Sequence, residues 1–272
     1  MGGRVLVCGY VFVKGVRVGR FRGMRYLAAT VVVVLLALLA ADRLVGGGRS
    51  TASAAAPAQQ IGMKVLLITD NNTDPSNASD VAYGDWVNTL KREGVPYDTW
   101  VTSSPMPNLS STGASGTQVA NYEGVVVATS GMEGMTSAQW TALQSFEHQF
   151  SVRQVTAYAS PSSDQGLDVA SSTAFLGSTT PISLTGDGSQ VFPYLKAVAL
   201  DTGSFGYEAT AAPGANVDPL ITGPNSSVAL GIYTAADGRQ TMFQTFNENP
   251  YMLQSQLLRH GELDWLVRNT YF

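Results

Sequence analysis

The chain has 272 residues, with 16 Lys and Arg against 20 Asp and Glu and a single cysteine. The charges are unevenly placed: residues 1–50 hold eight basic residues and one acid, so the remainder carries eight basic against 19 acidic residues, a net of −11. An acidic domain repels phosphate, which argues against nucleic acid or an anionic lipid surface as its partner. The only cysteine, Cys8, lies in the basic segment. The acidic remainder of the chain can form no disulfide and must be held by a core, for which about 210 residues suffice.

Residues 1–23 read as an upstream extension or a long basic leader before Met24, and residues 24–45 as an export signal. Arg20, Arg22 and Arg25 precede an apolar run over 27–41, and Asp42 and Arg43 follow it. The run is shorter than the roughly 20 residues that span a bilayer, and small-residue sites suited to signal peptidase follow at Ala52-Ser53-Ala54 and Ala54-Ala55-Ala56. If Leu44 and Val45 extend the run, the same segment is an uncleaved membrane anchor with its positive end inside. Either way residues 62–272 are expected outside the cell. Residues 46–61, rich in Gly, Ala and Ser, read as a linker.

Order is expected from residue 63, where a β-branched and leucine run over 63–69 predicts a buried strand. A helix over 80–93 comes next, with Tyr83, Trp86, Val87 and Leu90 on one face and Gly94 as its stop; a second strand spans 95–101. After a Ser/Gly/Pro-rich stretch the pattern repeats: a strand over 123–129, a helix over 136–150 with Trp140, Leu143 and Phe146 inward, and a strand over 151–158. Such alternation predicts an α/β domain with a largely parallel sheet flanked by helices, of the flavodoxin-like or class I glutamine amidotransferase-like kind. The second half adds short strands over 181–222, a hairpin of 228–234 and 240–246 around Asp237-Gly238, and a last helix over 251–269.

Several chemistries fail on their residues. A dinucleotide cofactor needs a Gly-rich turn after the first strand, and here that turn is Asp70-Asn71-Asn72-Thr73-Asp74-Pro75. Asp70, Asn72 and Asp74 open a calcium loop, but Pro75 stands where Gly is needed and Val81 where a bidentate Glu belongs. Ser130 follows a strand and His148 lies downstream, yet G-x-S-x-G is absent. His148 and His260, the only histidines, fall on different helices, so no paired metal ligands form. No catalytic residue, metal or cofactor is expected.

Aromatic rings are what remains. A pyranose packs its C–H face on an aromatic ring while its hydroxyls need planar or hydroxyl partners. Trp86, Trp140 and Trp265 fall on helical core stripes, whereas Trp100 on its strand could face either way. Ligands of open parallel sheets gather beyond the strands' carboxyl ends, which selects Asp70, Asn72, Trp100, Tyr158, Ser160 and Asp164 as candidate ligand-binding residues.

The runs Thr136-Ser137-Ala138-Gln139-Trp140, Phe150-Ser151-Val152-Arg153 and 158–164 (YASPSSD), with Phe246-Asn247-Glu248-Asn249-Pro250, Ser255-Gln256-Leu257-Leu258 and Asp264-Trp265 later, carry a resemblance. The chain resembles the N-terminal region of the galactosaminogalactan deacetylases of moulds and their actinobacterial relatives. That resemblance implies a carbohydrate-binding module for an amino-sugar exopolysaccharide, such as those of biofilms. It also implies that the deacetylase chemistry belongs to a separate domain, encoded downstream or elsewhere. The other class in play is an exported hydrolase using Ser130 or a metal.

The exported form is expected to begin after Ala54 or Ala56, with translation from Met24 sufficient for export. N-terminal sequencing of secreted material checks this, and a full-length band retained in membranes would establish the anchor instead.

Overall fold

The computed structural model describes residues 59–70, 81–128, 134–169, 175–176, 181–196, 198–199, 206–247, 250–268 and 270. The leader, the apolar run, Asn72 and Ser130 lie outside these residues. Among the described residues no helix is long and apolar enough to cross a membrane.

Among the described residues nine strands form the main sheet: β1 (Val65–Thr69), β2 (Tyr97–Val101), β3 (Gly124–Val127), β4 (Arg153–Thr156), β5 (Pro181–Leu184), β6 (Val198–Ala199), β7 (Asn216–Thr222), β8 (Val228–Thr234) and β9 (Gln240–Gln244). Their spatial order is β6-β5-β7-β8-β9-β4-β3-β1-β2. The five strands β2, β1, β3, β4 and β9 run parallel, as the strand-helix alternation of the first half predicts. The remaining pairings are antiparallel, so the sheet is mixed rather than largely parallel, and the flavodoxin-like expectation is corrected to that extent. The reason is local. Hairpins of the second half join strands through turns too short for a parallel crossover, as at residues 235–239, where Gly238 takes φ +88.

Among the described residues four α-helices accompany the sheet: α1 (Val81–Glu93), α2 (Ser137–Phe150), α3 (Gly186–Val191) and α4 (Leu253–Val267). The pleat sends alternate residues of β1 to opposite faces. Val65 and Leu67 join Trp86 and Leu90 of α1 and Leu258, Leu263 and Leu266 of α4. Leu66 and Ile68 join Leu143, Phe146 and Phe150 of α2. Gly124 lets α4 approach β3, since a Cβ there would lie 2.6 Å from Leu266 Cγ. The antiparallel half has its own small core, in which Phe243 of β9 meets Ala159, Leu167 and Ala209. The last two belong to a ribbon formed by Leu167–Val169 and Ala209–Ala211.

The sequence T-x-x-Q at the start of α2 makes a capping box: Gln139 N–H donates to Thr136 Oγ1 at 3.3 Å and Thr136 N–H to Gln139 Oε1 at 2.8 Å. Such a cap is worth roughly 1 kcal/mol. The stretch read as linker ends in structure, because Gln59–Ile61 forms a strand beside Gln118–Ala120.

Near the other end of α2, Glu147 is buried and its Oε1 has no hydrogen-bond partner. Arg239 comes within 3.6 Å of it, but Arg239 is held closer by Asp237, at 2.8 Å. Burial outweighs that shared cation and pushes the Glu147 carboxyl up to about 8, from 4.5. Between those values the folded chain binds a proton that the unfolded chain has released, so stability falls as pH rises across the window. We expect a loss of about 1–3 kcal/mol between about pH 5 and 8, and a flatter profile in Glu147→Gln. Urea midpoints across pH measure it; identical profiles for the two proteins would contradict it.

Candidate functional site

The parallel strands end along one edge, at Thr69, Val101, Val127, Thr156 and Gln244. After β4 the chain runs through Ala157, Tyr158, Ala159 and Ser160. Ala159 is buried and its N–H donates to Gln244 O at 2.7 Å, which pins this segment across the end of β9. Ser162 then organises a short turn, accepting from Asp164 N–H at 3.3 Å and donating to buried Gln165 Oε1 at 2.7 Å. Gly166 closes the turn at φ +64, against the ring of Tyr233, where a Cβ would meet ring carbons at 2.7 Å.

Tyr158 stacks on Tyr207, with ring centroids 6.0 Å apart and planes at 18°. Tyr207 is held from behind by Thr245. Its N–H donates to Thr245 O at 2.8 Å, and its carbonyl accepts from Thr245 Oγ1 at 3.0 Å. Burial first, and then the neighbouring Tyr207 phenol, hold the Tyr158 hydroxyl well above its ordinary value. At neutral pH it is therefore an uncharged hydroxyl on a half-buried ring. In the same loop, Ser160 and Asp164 are exposed. Two rings with hydroxyl and carboxylate neighbours can pack a sugar face and bond its hydroxyls.

Of the six residues expected at the site, Asn72 lies outside the described residues, and the other five are divided by the structure. Tyr158, Ser160 and Asp164 share one loop. Asp70 follows the last residue of β1, where its carbonyl accepts from Thr102 Oγ1 at 3.2 Å, and β3 stands between it and the Tyr158 loop, a separation of about 10 Å in the sheet. Trp100 is corrected: it is 3 % exposed, packs in the core with Leu66, Ile68 and α2, and donates its indole N–H to Ser104 O at 3.1 Å. Its alternation placed it on the Ile68 face, which α2 covers. Tyr207 was not among the expected residues. It lies on a two-residue strand, Gly206–Tyr207, with no periodic pattern around it to mark it.

His148 lies in the last turn of α2, about 16 Å along the helix from Ser137 by the rise of an α-helix. Among the described residues no group of three or more His, Cys, Asp or Glu side chains could hold a metal ion.

A protein-family model described as Agd3 CBM87 matches residues 61–265, three quarters of the chain. The chain belongs to the CBM87 family. It is a carbohydrate-binding module of the kind found in Agd3. The fold of this CBM87 module agrees with two solved structures. One is Agd3, described as a novel carbohydrate deacetylase, at 23 % identity and a TM-score of 0.62. The match covers 77 % of this chain and 33 % of that one, so the chain spans about a third of the Agd3 structure. The other is a ThuA-like protein from Bacteroides uniformis, at 13 % identity and a TM-score of 0.51, covering 78 % of this chain and 95 % of that one. No curated protein matches the chain.

Proposed function

We propose that this CBM87 module is exported and recognises an amino-sugar polysaccharide, N-acetylgalactosamine partly converted to galactosamine, on behalf of a deacetylase domain. The stacked Tyr158 and Tyr207 rings beyond the strand ends carry this reading, since they offer the apolar platform and neutral hydroxyls that a pyranose needs. Charge supports the choice of polymer. Each acetyl group removed leaves an ammonium, and the chain after residue 50 has a net charge of −11. Asp164, exposed in the Tyr158 loop, would serve as a local partner for such an ammonium, and Asp70, just past β1 on the same edge, as a partner for a more distant sugar unit. The leader supports export, to the medium or to the outer face of the membrane.

Pull-down of the full chain on polymers of graded acetylation, at low and high salt, tests the reading. Retention is expected to rise with deacetylation at low salt. The difference should shrink at about 1 M salt, where charges are screened beyond about 3 Å. Tyr158→Ala and Tyr207→Ala should each weaken binding about fivefold or more at either salt, as loss of an aromatic anchor does. Equal retention across the series removes the charge argument. Unchanged binding by both alanine variants, with the folded circular dichroism spectrum intact, removes the site.

A further inference from the structure

The opposite edge of the sheet, where the parallel strands begin, holds a cleft of about 400 Å³ between α3 and the end of α4. Arg153, Gln190, Asp264, Trp265 and Arg268 line it. A smaller cleft, to which Arg239 and Gln240 contribute, adjoins it and shares Arg153 and Arg268. Three of the eight basic residues found after residue 50 therefore meet at one edge of an otherwise acidic domain.

These cations are not equally compensated. Arg239 is paired with Asp237 and Glu147. Arg153 is half-buried and bonds neutral groups, donating from Nη1 to Trp265 O at 2.6 Å and from Nε to Gln240 Oε1 at 3.2 Å. Arg268 donates from Nη2 to Ser151 O at 2.5 Å. Among the described residues neither guanidinium has a carboxylate within ion-pairing distance. Each is also close enough to the other for repulsion: burial, and then Arg268, draw Arg153 down to about 10. Two like charges held together without a counterion favour an anion between them. The carboxyl end of α4, which would repel one, is already closed. The Arg268 N–H donates to Asp264 O and Trp265 O, and Arg153 adds its own bond to Trp265 O.

The rest of the lining suits a sugar rather than a simple ion. The Arg153 guanidinium lies 4.7 Å from the centroid of the Trp265 ring, and that partly exposed indole offers apolar surface for pyranose C–H groups. Gln190 and Asp264 supply planar groups for hydroxyls. We propose that this cleft is a second saccharide site, specific for a sugar unit that bears a carboxylate, a hexuronic acid residue held by Arg153 and Arg268. The site is separate from the Tyr158 edge and stands whether or not that edge binds an amino sugar.

Titration of the full chain with trigalacturonate, against the uncharged galactose trisaccharide, tests it by calorimetry and tryptophan emission. Trp86, Trp100 and Trp140 are all buried, so a ligand in the cleft is read through Trp265. The acidic sugar is expected to bind at least about tenfold more tightly than the neutral one, with a change in emission that Trp265→Phe abolishes. Arg268→Gln, an exposed position that alters no core packing, should cost about tenfold in the same affinity, and Arg153→Gln as much or more. Equal response to the acidic and neutral sugars would overturn the proposal. So would acidic-sugar binding that survives both arginine variants, or a triglutamate peptide binding as tightly as trigalacturonate, which would leave an anion site with no preference for sugar.

Discussion

Arg259 is the side chain on which the arrangement of this domain turns. It is wholly buried, donates from Nε to Asp85 Oδ2 of α1 at 2.8 Å and from Nη1 to Glu262 of α4, and lies 4.9 Å from the centroid of the Trp86 ring. Removing a guanidinium and two carboxylates from water is costly, and burial indeed drives the Glu262 carboxyl upward against the pull of Arg259. The cluster is tolerable only while all three groups meet, which fixes α1 and α4 to one another on one face of the sheet. From that lock come the seating of Leu266 on Gly124 and the delivery of Trp265 and Arg268 to the edge where the strands begin.

The two edges of the sheet carry different chemistry. Where the strands end, the residues that leave the sheet are aromatic, hydroxyl-bearing or acidic: Tyr158, Ser160, Asp164, Tyr207 and Asp70. Where they begin, Arg153 and Arg268 line a cleft with Trp265, and Arg239 joins them in the smaller cleft alongside. The antiparallel half of the sheet supports the first edge. Its ribbon of Leu167–Val169 and Ala209–Ala211 packs on Phe243, on the face that α2 covers farther along, and the loops entering that ribbon carry both tyrosines. A purely parallel sheet would have needed a crossover helix there and would not have brought Tyr207 beside Tyr158.

The first half of the fold was legible because its signals are local and redundant. Periods of two and of 3.6, a Gly stop at residue 94 and the Thr136 cap all point one way, and β1, α1, β2, β3, α2 and β4 follow them to within a few residues. The second half was legible only where a turn spoke plainly, as at Asp237-Gly238. The pairing of β5 with β7, and of Gly206–Tyr207 with Phe175–Leu176, depends on contacts between distant segments of two to seven residues that carry no period of their own. The site divides in the same way. Tyr158 could be found because it closes the strand legible over 151–158, whereas Tyr207 reaches it through tertiary pairing alone. Trp100 misled because strand alternation assigns a face without saying what covers that face.

The central claim, that a sugar is held beyond the strand ends, is tested most directly by backbone amide shifts in the chain titrated with a galactosamine oligosaccharide. The account predicts the largest changes, saturating together, in residues 157–166 and 206–208. Changes centred instead on Arg153, Trp265 and Arg268, or scattered without saturation, would contradict it.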